Sequence, residues 1–196
     1  MLIDISQEVF SCQGYPDDPM PHCRPVMRMV QGASYNLTAF SMCAHNGTHI
    51  DAPFHFFKEG KTVEQLGLLP FIGDCYVARY TGDITAEDAV FILEKAQKSG
   101  AAERILLAGD LTVTAAAARV FADAGILLLG NEGQTIGPVE APMEVHRILL
   151  GADVVLLEGI VLQHVQEGRY FLSAAPLNLA GCDGAPCRAV LIKPTA

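Results

Sequence analysis

The sequence predicts a single α/β domain, and three observations carry that prediction. At 196 residues the chain is long enough for one well-buried core and too short for two comfortable ones. Hydrophobic residues make up 51% of it and charged residues 18%, a globular balance that excludes disorder as the main state. From Asp74 onward, short apolar runs alternate with capped helical segments, the pattern of strands and helices layered on a sheet.

Taken in order, residues 2–6 read as a short strand, and residues 12–25, with four prolines, as a long loop of the kind that serves function or a partner contact. Residues 34–43 carry enough Tyr, Leu, Thr and Phe for a strand, and residues 56–60 make a turn. Residues 74–80 form a second clear strand. Thr85 with Asp88 three positions later makes a capping box for a helix that ends near Gly100. Then follow a strand at 105–108, an alanine-rich helix at 114–124 stopped by Gly125, and a strand at 126–129. A helix at about 142–150 stopped by Gly151 and a strand at 154–157 complete the alternation, and residues 170–173 and 189–193 return to strands. No internal repeat, low-complexity tract or linker interrupts the chain.

The residues that carry chemistry concentrate in one stretch. His45-Asn46-Gly47-Thr48-His49-Ile50-Asp51-Ala52-Pro53-Phe54-His55 holds three of the six histidines and an aspartate. Imidazole with carboxylate suits zinc, manganese or iron. A helix would put His45 and His49 on one face, but Asn46-Gly47-Thr48 is poor helix material, Pro53 bars continuation, and no glutamate follows His45. An extended segment fits better: alternation then turns His45, Gly47, His49 and Asp51 to one side, with Gly47 leaving room for what they hold. Pro53 ends that strand and brings His55 in from the side. One such histidine would ordinarily be a hydrogen-bonded core or surface residue. Several ligand-type groups of one parity point to a metal, because burying them without a cation leaves polar groups to satisfy.

Outside this stretch the pattern says less. Glu158 ends the apolar run Val154-Val155-Leu156-Leu157, where it reads equally as a ligand or as a carboxylate surfacing at a strand end. His146, between Val145 and Arg147 on a helix, reads on pattern alone as a surface residue, and His22 and His164 as structural. Glu132 and Thr135 are candidates to approach the pocket. The formal charge of -9 argues against a nucleic-acid partner, which relies on clustered Lys and Arg. The longest apolar run, residues 148–162, contains Asp153 and Glu158 and does not span a membrane. The opening residues lack a basic, then apolar, secretion signal, so a cytoplasmic location is expected. In that compartment Cys12, Cys23, Cys43, Cys75, Cys182 and Cys187, which show no Cys-x-x-Cys pair, are expected as reduced, buried small hydrophobes, with Cys43 near the site and Cys182 and Cys187 flanking a turn. Gly130-Asn131-Glu132-Gly133 lacks the dinucleotide-binding pattern, and no Gly-x-Ser-x-Gly elbow supports a serine nucleophile.

The stretch from His45 to Phe56 resembles the His-x-Gly-Thr-His-x-Asp-x-Pro-x-His-Phe signature of the bacterial cyclase family, which includes kynurenine formamidases and isatin hydrolases. Ile3-Asp4-Ile5-Ser6, Tyr15-Pro16, the His146 and Glu158 pair, Pro176-Leu177 and the closing Asp183-Gly184-Ala185-Pro186-Cys187-Arg188-Ala189-Val190 extend the likeness over nearly the whole chain. The resemblance implies a swivelling β/β/α fold with mixed sheets and flanking helices, and a metal-dependent hydrolase of formamide, lactam or related carbonyl bonds. It assigns His45, His49 and Asp51 to a first divalent ion, Asp51 and Glu158 as bridges to a second, His146 to that second ion, and His55 as acid/base. Zinc, one or two ions, is the expected metal, with manganese as the alternative. Tyr15 stands where formamidases of the family often show tryptophan and is the expected substrate-binding aromatic; Gly159 stands where many carry asparagine. The expected activity is that of an arylformamidase, converting N-formylkynurenine to kynurenine and formate in tryptophan catabolism. The alternatives are an isatin-hydrolase-like or other cyclic-amide activity, and a catalytically silent metal- or metabolite-binding protein. A homodimer or homotetramer is expected, with residues near Tyr15 enclosing a neighbouring subunit's pocket.

Overall fold

A computed structural model describes residues 1–193. In chain order its strands are β1 (Leu2–Asp4), β2 (His22–Met27), β3 (Leu37–Ser41), β4 (His49–Asp51), β5 (Ile72–Arg79), β6 (Gly82–Ile84), β7 (Arg104–Ala108), β8 (Leu111–Val113), β9 (Leu128–Asn131), β10 (Val155–Glu158), β11 (Gly168–Ser173), β12 (Gly184–Pro186) and β13 (Val190–Ile192). The helices are α1 (Ala86–Ser99), α2 (Ala115–Asp123) and α3 (Met143–Gly151). Nine strands make one mixed, curled sheet in the order β1-β13-β11-β5-β7-β9-β10-β4-β12. Its centre, β5-β7-β9-β10, is parallel, as connections through helices require, and the flanks are antiparallel.

The continuous apolar runs are strands covered on both faces. Ile105, Leu107, Leu129 and Leu156 point toward the three helices and form one core with Ala89, Phe121 and Leu149. Their neighbours Leu106, Leu128, Val155 and Leu157 point the other way, into a second core closed by Ile5, Ile50, Leu172 and Leu191. Helix α1 begins where capping chemistry predicts: Thr85 Oγ1 accepts from Asp88 N, and the Asp88 carboxylate accepts from Thr85 N in return. The two ends of the chain meet at β1 and β13, whose register is Ile3 opposite Leu191. Arg188 pairs with Asp4 across that junction.

Three local expectations are corrected. The predicted loop at 12–25 ends early, because β2 pairs with β3 as an exposed two-stranded ribbon; Pro25 is tolerated there at an irregularity in the register. The extended reading of residues 45–51 holds only for β4, since Gly47 takes φ +66° and breaks the strand into a turn. Two three-residue strands, β6 and β8, pair parallel beside the main sheet, and β12 pairs with β4; all are too short to show a period.

Candidate active site

The site is built on β4. Alternation buries Ile50 in the core and turns His49 and Asp51 to the opposite, helix-facing side of the sheet. In the antiparallel pairing with β10, Glu158 stands opposite His49 and therefore shares that side. Helix α3 packs on β10 with Val145, His146, Leu149 and Leu150 buried, so His146 lies on the inner stripe of an amphipathic helix and reaches the same spot. His49, Asp51, Glu158 and His146 are all at least 97% buried.

Hydrogen bonds fix which atoms these groups present. His49 Nδ1 donates to Gly47 O at 3.0 Å, and His146 Nδ1 donates to Pro142 O at 2.8 Å. A neutral ring bonded in this way carries its lone pair on Nε2. His49 Nε2 stands 3.3 Å from Asp51 Oδ1 and 3.7 Å from Glu158 Oε2; His146 Nε2 stands 3.3 Å from Glu158 Oε1 and 3.6 Å from Asp51 Oδ2. These separations exceed well-formed N–H···O hydrogen bonds. Two ligands about 2.0–2.1 Å from one tetrahedral ion stand roughly 3.3 Å apart, so the spacing is that of donors sharing a cation. Lone pairs facing carboxylates in a dry interior repel unless positive charge lies among them. The donor set therefore fits a divalent cation. Burial pushes the Asp51 carboxyl upward, but the neighbouring His45 and His49 imidazoles outweigh it and hold the group well below the usual carboxylate range. Burial likewise opposes charge on His146, and the Glu158 carboxylate more than offsets it.

A second group lies toward solvent. His45 Nδ1 contacts Asp51 Oδ1 at 2.8 Å, and its Nε2 contacts Asp183 Oδ2 at 2.8 Å. The same Asp183 oxygen accepts from His55 Nδ1 at 3.1 Å. Burial works against charge on His45, yet the bonds to Asp183 and Asp51 lift it to about 11. The bonds from His45 and His55 in turn hold Asp183 far below the carboxylate range. His55 reaches this position because Pro53 opens a single helical turn, Pro53–His55, directly after β4. A cavity of about 380 Å³ opens over both groups, walled by Tyr15, Asp18, Cys43, Phe56, Gln134, Thr135 and Pro142. Such a volume suits a small aromatic molecule. Tyr15 is anchored by its hydroxyl, which donates to Val139 O at 2.9 Å. Behind the cluster, Gly159 takes φ +66°, and a Cβ there would lie 2.2 Å from Gly47 O and 2.4 Å from Gln134 Nε2. No side chain fits at that position.

The Cyclase family model matches residues 3–137. Kynurenine formamidase of Salinibacter ruber is 30% identical over 204 residues, covering 97% of this chain and 96% of the relative. The chain belongs to the Cyclase family. Among solved structures, a predicted metal-dependent hydrolase from Bacillus stearothermophilus superposes with a TM-score of 0.79 at 27% identity, over 97% of both chains. Isatin hydrolase A from Labrenzia aggregata superposes with a TM-score of 0.84 over 99% of this chain and 94% of its own, and at 18% identity it shares the cyclase fold.

Within this cyclase fold, six residues singled out from the sequence, His45, His49, Asp51, His55, His146 and Glu158, come together, and Tyr15 lines the same cavity. His45 arrives by the turn at Gly47 rather than by strand parity, and a side chain on Gly47 would meet Cys12 instead of the site. Thr135 lines the cavity as expected. Glu132 does not: its carboxylate accepts from Gly109 N and Leu162 N and ties loops together. All six cysteines are free, Cys43 lines the cavity, and Cys23 is exposed on the ribbon rather than buried. His22 and His164 are exposed and remote from the cavity. Asp183, Gln134, Asp18 and Pro142 line the cavity as well, and the sequence pattern assigned none of them to it. Asp183 follows no periodic element; its only signal is its place in the Asp-Gly-Ala-Pro segment. No helix among the described residues is long and apolar enough to cross a membrane.

Proposed function

We propose that this protein is a divalent-metal-dependent hydrolase of a C–N amide bond, of the arylformamidase type, with N-formylkynurenine as the favoured substrate. One observation carries the reading: four buried donors, His49 Nε2, His146 Nε2, Asp51 and Glu158, face one another at ligand spacing with both Nδ1 atoms tied to carbonyls. In this reading His45, His49 and Asp51 would hold one ion, and Asp51, His146 and Glu158 would hold a second. Asp51 suits the bridging role, since Oδ1 faces His45 and His49 while Oδ2 faces His146. Zinc is the favoured metal and manganese the alternative, both matched to imidazole and carboxylate donors. When bound, the metal supplies Lewis acidity that polarises the carbonyl and makes water nucleophilic near neutral pH.

The remaining work falls to the chain. His55 donates Nδ1–H to Asp183, and Nε2 makes no hydrogen bond among the described residues. That atom takes a proton from the attacking water and returns it to the departing amine. Phe56 and Tyr15 form the walls against which an aromatic amine portion packs, and the family relatives named as kynurenine formamidases support that choice of substrate. A free acid/base beside the donor ring disfavours a purely metal-binding protein. The test is to purify the protein, measure its metal by elemental analysis, and assay it against formylkynurenine, isatin and simple cyclic amides. Formylkynurenine turnover that follows metal content is expected. Turnover of isatin alone moves the assignment to cyclic amides; a metal-replete protein inactive on every substrate between about pH 6 and 9 defeats the hydrolase reading.

We also propose that the protein works as a homo-oligomer, a dimer or tetramer. The β2–β3 ribbon is exposed along nearly its whole length and presents Val26, Met27, Leu37 and Phe40 to solvent. A lone two-stranded ribbon is marginal in water, so a second copy is the natural cover for it. Light scattering that finds only monomer with full turnover ends this proposal.

A further inference from the structure

We propose that Asp183 is a positioning residue whose single oxygen, Oδ2, sets the working nitrogen of both His45 and His55. The inference rests on the hydrolase reading above and extends it to a residue outside the donor ring. Oδ2 lies 2.8 Å from His45 Nε2 and 3.1 Å from His55 Nδ1. A carboxylate only accepts, so both of those nitrogens carry hydrogen. In a neutral imidazole the other nitrogen then bears the lone pair. For His45 that atom is Nδ1, which donates to Asp51 at 2.8 Å when no cation is bound and is thereby turned to the donor ring, where a bound cation would replace its proton. For His55 it is Nε2, free to exchange a proton with substrate.

The geometry of the rings follows from the shared acceptor. Their centroids are 4.1 Å apart with planes 31° from parallel, an arrangement that lets both donors reach one oxygen. Asp183 is placed for this by backbone pairing: its carbonyl accepts from Ala52 N at 2.9 Å, and β12 continues alongside β4 with Gly184 opposite Asp51. Its side chain is 42% exposed and, among the described residues, hydrogen-bonds the two histidines alone. It therefore contributes little to holding the fold, and an effect of its removal belongs to the rings. Without it, each ring is free to flip or to take the other tautomer. His45 would then offer a proton where a lone pair is needed, and His55 would lose its orientation.

The experiment uses the full chain and compares Asp183→Ala and Asp183→Asn in the native background and in a His55→Ala background. Zinc affinity is measured by competition with a chromophoric chelator, and kcat and KM are measured on formylkynurenine at saturating zinc. Loss of the carboxylate should weaken zinc about 10- to 100-fold in both backgrounds, the usual effect of removing a histidine's outer partner. In the native background kcat should fall about 10- to 100-fold with KM within roughly twofold. In the His55→Ala background the same change should alter kcat by less than about twofold, because the group through which Asp183 acts there is gone. Asp183→Asn keeps an acceptor oxygen and the side-chain shape, should fall between, and serves if the alanine variant does not fold. Unchanged zinc affinity, or equal kcat losses in both backgrounds, overturns the role. A native protein that binds no divalent metal and hydrolyses no amide instead removes the hydrolase reading, a failure visible before any variant is made.

Discussion

Two groups of side chains meet at Asp51, and they are held in opposite ways. His49, Glu158 and His146 come from two strands and a helix, are backed by apolar core, and face one another with lone pairs. His45, His55 and Asp183 come from a turn, a single helical turn and a loop, stand closer to solvent, and satisfy one another by hydrogen bonds. The first arrangement is incomplete without positive charge. The second closes on itself by hydrogen bonds, with His55 placed to pass protons and His45 to turn one nitrogen inward to the ring. Rigid elements thus hold the part that must fix an ion, and irregular backbone presents the part that meets substrate.

The largest effect should come from breaking the inner ring. Glu158→Gln keeps shape but removes one of the two carboxylates that compensate a divalent ion, so bound metal should fall below about a tenth of that in the native protein and turnover with it. Elemental analysis and circular dichroism on one preparation check this; stoichiometric metal in a folded variant would mean that the ring is not the metal site. Next is His55→Ala, which should keep its metal and lose roughly two to four orders of magnitude in kcat. Loss of metal in that variant would move His55 from the outer group to the inner one and erase the distinction drawn above.

A smaller effect tests how the inner ring is backed. Gly159→Ala forces a Cβ to within 2.2 Å of Gly47 O at a backbone angle that L residues resist. Left-handed strain and overpacking together should cost about 2–4 kcal/mol. Thermal unfolding reads this directly, and a shift in Tm of less than a degree would show that the turn at Gly47 yields.

The same contrast decides what was legible in the sequence. His49 and Asp51 were readable because a strand has period two and Ile50 between them is plainly apolar. The buried run before Glu158 left it equally a ligand or a carboxylate surfacing at a strand end, and only the family resemblance drew it to the site. His45 belonged to the site for a different reason from the one its spacing suggested, since the left-handed Gly47 replaces strand parity with a turn. His146 was hidden by its neighbour Arg147, although Val145, His146, Leu149 and Leu150 already trace an inward helical stripe. Asp183 finds its partners 138 and 128 residues away along the chain, a distance over which local pattern carries no information. The ribbon strand β2 was masked by Pro21 and Pro25, residues that a central strand excludes but an exposed edge accepts.

The smallest effect concerns a carboxylate far from both groups, and it separates acid sensitivity of the scaffold from that of the site. Glu167 joins three elements: it accepts from Lys95 Nζ at 2.7 Å, from Tyr76 Oη at 3.0 Å and from Arg79 N at 3.3 Å. The Lys95 bond, working against partial burial, lowers its pKa below the ordinary glutamate value, with Arg79 N and Tyr76 adding to it. A group depressed on folding stabilises the native state above its unfolded pKa and loses that contribution as pH falls through the folded one. Stability tied to Glu167 is therefore present at neutral pH and disappears below roughly pH 4.3. Because both partners are partly solvent-exposed, the amount should stay under about 1 kcal/mol. Glu167→Gln should accordingly lower Tm slightly at pH 7 and not at all near pH 3, with metal content and kcat at pH 7 unchanged. A Tm difference that grows as pH falls would reverse the sign and show that Glu167 is not held as the anion in the folded protein.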